Sequence, residues 1–354
     1  MGTEFSLQKT GLALLVGLAG ALIANWITLP LPWMIGSMIA CAVAAIARAP
    51  VGMPMKVRNP MVIVLGVLLG SGFSPDMINH LTEWAVSLVM IVVYLFAVGA
   101  VVYPFFRKFA GYDPVTAYFC SMPGGLNEMV MIGREMGGDD RRIVLTHASR
   151  IMIAVLTIPV WFRFSETIDL SNRALFGVSI TAIPIQDLLI LLMCGVLGMP
   201  LAKLLRLPAR LLIGPMLLSA AVHLTGVAKS PPPLELINFA QVVIGSALGC
   251  RFVGSKLSDV LHTLKYSAGA TILMIALSVF FAFIVQQISG NSIPTVVLAY
   301  APGGLAEMSL IALALGVDIA FVATHHVWRI CLVVIVAPIL FRVLSIKIDR
   351  LKRD

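Results

Sequence analysis

Long apolar stretches separated by short polar loops run through the whole chain. They fall at approximately residues 10–29, 31–47, 59–74, 85–106, 114–136 and 143–164, and again at 185–205, 211–228, 234–250, 266–288, 294–315 and 319–341. An uncharged run such as 85–106 is long enough to cross a hydrocarbon core of about 30 Å at 1.5 Å per residue. The pattern predicts an all-α polytopic membrane protein.

The second six segments repeat the first six. The heptapeptide Pro-Gly-Gly-Leu-Asn-Glu-Met at 123–129 returns as Pro-Gly-Gly-Leu-Ala-Glu-Met at 302–308, a shift of 302 − 123 = 179 residues. The same shift relates many other matches, among them Gly66 to Gly245, His147 to His326 and Arg150 to Arg329. The chain is therefore an internal duplication, and we divide it into a first membrane repeat, 1–170, and a second, 171–354.

Composition agrees with a bilayer as the solvent. The chain is 59% hydrophobic and only 12% charged, whereas about a quarter of the residues in a soluble protein are charged. The net charge of +8 lies in short loops, where it sets orientation, so we expect no nucleic-acid partner. The five cysteines are scattered through apolar segments and are interpreted as small core residues.

The loop charges change places between the two halves. In the first half Lys and Arg follow the second and fourth segments, whereas in the second half they follow the first and third: Arg48, Lys56, Arg58, Arg107 and Lys108, then Lys203, Arg206, Arg210, Arg251, Lys256 and Lys265. Positive loops face the cytoplasm, so the halves should insert in opposite orientations. That requires an odd number of crossings in each half.

The fifth segment of each half is the best candidate for the one that does not cross. Pro-Gly-Gly interrupts 114–136 and 294–315 near their middles, and this sequence breaks helices. About nine residues would descend and about ten return, with the tip near the bilayer centre. In the rival interpretation this segment crosses as a broken helix and a short segment such as 31–47 does not span. Both give two inverted repeats of five transmembrane helices with cytoplasmic N- and C-termini.

The two Pro-Gly-Gly tips are the predicted solute site. Irregular backbone at membrane depth occurs where it lines a cavity or is buried in protein, and helices starting after the glycines would aim free N–H groups at an anion. The glycines would permit a positive-φ turn or a close approach of the solute. The competing interpretation is a packing kink. The predicted solute-binding residues are Pro123, Gly124, Gly125, Asn127, Pro302, Gly303 and Gly304.

Ionisable residues beside the tips are candidates for ion coupling. Glu128 and Glu307 lie in the first turn of the returning helices, and a carboxylate in a bilayer needs a partner or a cavity. His147 and Arg150 share one helical face, as do His326 and Arg329. Two interpretations stay open: a structural Glu–Arg ion pair in each half, or carboxylates that take up H⁺ or hold Na⁺. The histidine spacing predicts no metal site.

The paired Pro-Gly-Gly-Leu-x-Glu-Met motifs, the Leu-Pro elements at 29–38 and 207–216 and the His-x-x-Arg elements resemble the AbrB family of integral membrane proteins. This duplicated bacterial inner-membrane family, often labelled ammonia monooxygenase, is distinct from the soluble DNA-binding regulator of the same name. The resemblance implies a transporter in the inner membrane and links some members to control of gene expression. It implies no particular solute.

These observations favour a secondary transporter of a small anionic solute, driven by H⁺ or Na⁺, without enzymatic activity or another cofactor. The partners expected are the solute and the lipid bilayer; a homo-oligomer is compatible with the sequence. A membrane-embedded sensor acting on gene expression through a partner is the main alternative, although cytoplasmic loops of only about ten residues leave little room for a signalling domain. An oxidase would need a metal or flavin site, for which we find no motif.

The inverted loop charges lead to a topology that can be measured. Residues 139–142, 203–210 and 251–256 should face the cytoplasm, and 76–83 and 290–293 the outside. Single cysteines in these loops, in a background without the five native cysteines, should react with an impermeant maleimide from the stated side only. Labelling of 203–210 from outside would instead indicate twelve parallel spans.

Overall fold

A computed structural model describes residues 6–75, 81–164 and 178–351, and these parts of the chain are helical without any strand. The first half contains α1 (Leu7–Trp26), α2 (Pro32–Ile46), α3 (Met55–Ser71), α4 (Leu81–Lys108), α5 (Pro114–Ser121), α6 (Leu126–Glu135) and α7 (Asp140–Phe164). The second contains α8 (Ile185–Leu204), α9 (Arg210–Leu224), α10 (Leu234–Gly249), α11 (Leu257–Ser289), α12 (Ile293–Tyr300), α13 (Leu305–Ala314) and α14 (Ile319–Leu351). The predicted division at residue 170 and part of the predicted external loop 76–83 lie outside the described residues.

Helix order is the same in both halves. Two helices of about full-span length enclose two shorter ones in each half, followed by a broken pair and a last long helix. The broken pairs have 8 and 10 residues in both halves, α5 with α6 and α12 with α13. The predicted interruption of the fifth apolar segment at Pro-Gly-Gly is confirmed.

Among the helices of the described residues, six are long and apolar enough to cross a membrane: α1, α4, α7, α8, α11 and α14. The helices α2, α3, α9 and α10 have 15 to 17 residues, which is about 22–26 Å at 1.5 Å per residue. The predicted class, an all-α polytopic membrane protein, is confirmed.

Glycines hold helices of the two halves against each other. Gly66 and Gly70 of α3 lie against the carbonyls of Leu212 and Met216 of α9, and Gly245 and Gly249 of α10 lie likewise against those of Met34 and Met38 of α2. Membrane helices associate closely where small residues let their backbones approach. Because the contacts advance in the same direction on both partners, α3 runs parallel to α9 and α10 runs parallel to α2.

The broken pair of the first half is a hairpin. The amide of Asp139, just beyond α6, donates to the Thr116 hydroxyl in the first turn of α5 at 2.9 Å. Gly133, near the end of α6, faces Phe119 of α5. The chain therefore returns to the level at which α5 began. The Tyr118 hydroxyl anchors α5 to α14 by donating to the Ala337 carbonyl at 2.8 Å.

The glycine contacts predict which small residues carry the scaffold. In Gly66→Ala the new Cβ would lie 2.5 Å from the Leu212 carbonyl oxygen and 3.2 Å from Pro215 Cβ, and such overpacking typically costs about 1–3 kcal/mol. Gly11→Ala in α1, where nothing lies within 4 Å of the added Cβ, is the matched control. Thermal unfolding of both purified variants should show a loss of stability for Gly66→Ala alone; equal stability would contradict the packing role.

Candidate functional site

The Pro-Gly-Gly tips are extended rather than left-handed. Gly125 has φ −64° and ψ 136°, and Gly304 has φ −84° and ψ 157°, each at the residue before its helix. The predicted positive-φ turn is wrong, because the tip glycines are not among the described residues with positive φ. Their lack of a Cβ matters for space: an added Cβ would meet the Glu128 carboxylate at Gly125 and the Glu307 carboxylate at Gly304.

Each glutamate therefore folds back over the start of its own helix. Glu128 and Glu307 occupy the third position of α6 and α13, the place from which a Glu side chain reaches back to the N-cap. A carboxylate here also lies at the positive end of the helix dipole. Both glutamates thus gain local stabilisation from the starts of their own helices.

Behind the first tip, a buried histidine and a buried arginine bind free backbone carbonyls. His147 Nε2 donates to the Phe119 carbonyl at 3.1 Å. The Arg150 guanidinium donates to the carbonyls of Met122 at 3.1 Å and Gly124 at 3.3 Å. The end of α5 leaves carbonyls without helical partners, and these side chains satisfy them.

The second tip repeats the arrangement with more hydrogen bonds. His326 Nε2 donates to the Leu298 carbonyl at 2.9 Å, and its Nδ1 accepts from Arg329 at 3.0 Å. Arg329 also donates to the carbonyls of Tyr300, Ala301 and Gly303 at 3.3, 2.6 and 2.9 Å. The His-x-x-Arg motif is thus a clamp on each tip.

The Glu–Arg ion pair expected within each half is not formed. Within the described parts of the chain, no salt bridge joins Glu128 to Arg150 or Glu307 to Arg329. The reason is that the tip carbonyls engage the guanidinium groups, while each carboxylate folds over the glycine before its own helix. The arginines of the predicted ion pairs thus have a structural role on the tip carbonyls, but the glutamates are not their partners.

The two helix starts open into one cavity of about 380 Å³. Glu128 and Glu307 both line it. Three arginines from separate parts of the chain line it too: Arg58 in the first turn of α3, Arg210 at the start of α9 and Arg251 just after α10. The rest of the lining is mostly apolar and includes Val62, Leu126, Ile151, Ile244, Leu248, Leu305 and Ile330. The cavity is a charged pocket between the halves.

Opposite charges face each other across this pocket. Arg58 is attracted to both Glu307 and Glu128, and it repels Arg251. Arg251 in turn donates to the Asn127 side-chain oxygen at 3.4 Å. Arg58 therefore lies within electrostatic reach of the glutamates of both halves.

A second cavity of about 560 Å³ continues from the pocket along α6. Leu126, Asn127 and Arg251 line both cavities. The second cavity extends to Arg134 and Asp140 at the far end of α6 and is more open. Together they form an inlet that leads toward the glutamates.

The structure brings some of the predicted site residues together and separates others. Asn127, Glu128, Gly304 and Glu307 line the charged pocket. The other predicted residues do not line the pocket: Pro123, Gly124, Gly125, Pro302, Gly303, His147, Arg150, His326 and Arg329. Gly124 packs against Met129 and Val333, and Gly303 packs against Met308. Pro-Gly-Gly thus shapes the site more than it lines it.

Sequence reasoning missed the three arginines as site residues. We assigned Arg58, Arg210 and Arg251 to loops that set orientation, and they are far apart in the chain. A signal was available, since Arg58 and Arg210 fall in the first turns of α3 and α9, where a cation opposes the helix dipole. A basic residue at an unfavourable helix end suggests a partner of opposite charge.

The halves differ at a second buried polar group. Tyr300 and His325, which replace Ser121 and Thr146 of the first half, meet at Ser87 of α4. His325 Nε2 lies 2.7 Å from the Ser87 hydroxyl, and the Tyr300 hydroxyl donates to the Ser87 carbonyl. The pseudo-symmetry of the tips therefore does not extend to their surroundings.

Six apolar helices, two broken helix pairs held by the clamps and a charged pocket define a polytopic membrane protein with a broken-helix site. Residues 33–345 match the family described as "Transition state regulatory protein AbrB", and the chain belongs to this family. "Uncharacterized protein YhjN" of Bacillus subtilis (strain 168) is 27% identical, with 93% of this chain and 91% of the relative covered. "Putative regulator AbrB" of Escherichia coli (strain K12) is 21% identical, with 90% and 91% covered.

The clamp should be the most sensitive structural element of the site. Arg329→Met would strand three buried carbonyls, and each unsatisfied group costs about 1–3 kcal/mol. Arg150→Met would strand only the Gly124 carbonyl, because the Met122 carbonyl still accepts from the Gly124 amide at 2.9 Å, and should destabilise less. Arg141→Met, at an exposed arginine paired with Asp259, should change stability by about 0.5 kcal/mol at most. Thermal unfolding gives the ranking, and a parent-like Arg329→Met would show that the clamp carries no stability.

Proposed function

We propose that the protein is a secondary transporter of a small anionic solute coupled to H⁺ or Na⁺, with the solute bound in the pocket between the two helix starts. The supporting observation is that Arg58, Arg210 and Arg251 meet Glu128 and Glu307 in one cavity of about 380 Å³. Guanidinium groups and helix N-termini suit a carboxylate or phosphate. The carboxylates supply ionisable groups for coupling.

The packing between halves supports the inverted arrangement that alternating access uses. Consecutive helices joined by short loops run antiparallel, so α2 and α3 point in opposite directions, as do α9 and α10. Because α3 runs parallel to α9 and α10 runs parallel to α2, each helix then points opposite to its counterpart in the other half. The α5–α6 hairpin supports a re-entrant rather than a crossing fifth segment.

The pocket also agrees with the proposed orientation. Arg58, Arg210 and Arg251 belong to three loops that the charge pattern assigns to the cytoplasm, and these arginines line one cavity. We therefore infer that the inlet opens to the cytoplasm, with both chain ends on that side. Helical spans favour the bacterial inner membrane, since outer-membrane spans are β-barrels.

The relative named "Putative regulator AbrB" supports a second candidate, a sensor that binds an anion and acts through a partner. The two functions share the pocket but differ in the step after binding. A transporter reconstituted in vesicles moves the solute across the bilayer, whereas a sensor binds it without flux. We favour transport because both halves contribute a broken helix to the pocket.

Arginine substitution tests the site. Arg210→Ala should weaken anion binding at least about tenfold, the loss of one charge-assisted hydrogen bond of about 1.5–3 kcal/mol. Arg206→Ala removes the same charge from the same loop at an exposed position outside the cavity lining and should bind like the parent. The measurement is a thermal-shift screen of purified protein against carboxylates and phosphates at several pH and Na⁺ values, followed by vesicle flux. Equal loss in both variants would indicate general surface attraction instead of a site.

A further inference from the structure

The charges that line the pocket do not balance when it is empty. Three arginines and two glutamates line it, a net charge of 3 − 2 = +1. Arg58 is attracted to both glutamates, so its charge is engaged by carboxylates of the protein. An incoming acidic group must compete with Glu128 and Glu307 for the same guanidinium.

We propose that the solute is a small dicarboxylate that binds together with protons, one for each acidic group. Each solute carboxylate replaces one glutamate as the anion that the arginines attract, and that glutamate is protonated in exchange. The proton forms an O–H bond on the glutamate, and no other bond changes. This inference rests on the proposed transport function and names its solute class and coupling ion.

The net charge of the pocket explains why two protons accompany one dianion. Protonation of both glutamates raises the net charge of the lining from +1 to +3, and a dianion returns it to +1. The loaded and the empty pocket then carry the same net charge. The electrostatic free energy of rearranging the halves is therefore similar with and without solute. A dianion without protons would leave the pocket at −1, with carboxylates facing carboxylates, which is unfavourable in a partly buried site.

A proton suits this pocket better than Na⁺. Sodium would have to sit beside the glutamates and therefore close to Arg58, which repels it, and it would need several oxygen ligands. A proton needs only the carboxylate oxygen.

Charged and titratable groups on neighbouring helices are engaged elsewhere. His147 and Arg150 of α7, and His326 and Arg329 of α14, bind tip carbonyls, and His325 contacts Ser87. Helices α5 and α12 carry no charged residue, and Tyr118 and Tyr300 donate to carbonyls outside the pocket. Among the lining residues, only Glu128 and Glu307 are carboxylates.

The test measures proton uptake during binding. Succinate, malonate or acetate is added to the purified full-length protein in weakly buffered detergent solution containing a pH dye, and affinity is measured in parallel by calorimetry. We expect uptake of about two protons per dicarboxylate and about one per acetate, with affinity for the dicarboxylate rising as pH falls, by about tenfold per pH unit for each proton. Added Na⁺ should not change the affinity.

Glutamate variants separate coupling from a structural role. Glu307→Gln mimics the protonated side chain, so we expect it to bind succinate at alkaline pH more tightly than the parent and to take up one proton fewer. The double variant with Glu128→Gln should bind without pH dependence. Glu235→Gln, at an exposed glutamate that accepts from Ser179 and Ile180, should match the parent. Weaker binding in the Gln variants would show that the carboxylates support the site structurally.

Other outcomes are equally decisive. Dicarboxylate binding that depends on Na⁺ and takes up no protons would overturn the proton inference and leave the transporter standing. Binding of phosphates alone would overturn the dicarboxylate class. If no anion in the wider screen binds, both this inference and the proposed function fail.

Discussion

The structure depends on how backbone carbonyls are satisfied where two helices are broken in the protein interior. A carbonyl buried away from water needs a donor from the protein. Arg150 and Arg329, both at most 2% exposed, supply these donors together with His147 and His326. A guanidinium, with its five N–H donors in a fixed plane, can hold several carbonyls at once. The clamp allows Pro-Gly-Gly to remain extended, and the helices that start after it therefore point into a cavity.

The scaffold that carries the tips is built by close contact between halves. Glycines of α3 and α10 lie against carbonyls of α9 and α2, and in each half glycines also join the first two helices: Gly20 to Gly36, and Gly198 to Gly214. Backbones this close leave no room for larger side chains, so these helices are tightly packed. The broken pairs α5–α6 and α12–α13 are attached to α7 and α14 through the clamps.

The charged groups that line the pocket attract one another at a distance and, in the described part of the chain, form no direct ion pairs with one another. Arg58 faces carboxylates from both repeats, and Arg251 is tied to the inlet through Asn127. Such an arrangement is adaptable, because a charge without a fixed partner can change partners when a ligand or a proton arrives.

The sequence by itself determined the membrane class, the two matching sets of helices and the breaks at Pro-Gly-Gly, because apolar length and helix-breaking residues act locally. It also marked Glu128 and Glu307, which line the pocket. Only the tertiary structure decided what these groups contact. A positive-φ turn was one of the two reasons expected for the tip glycines, yet these glycines are not left-handed and make room for carboxylates. Arg150 and Arg329 were candidates for pairing with those carboxylates, yet they bind carbonyls. Arg58, Arg210 and Arg251 come together from three distant parts of the chain. The physical reason is that packing between the halves decides which residues face each other across a cavity, and no local sequence pattern reflects that packing.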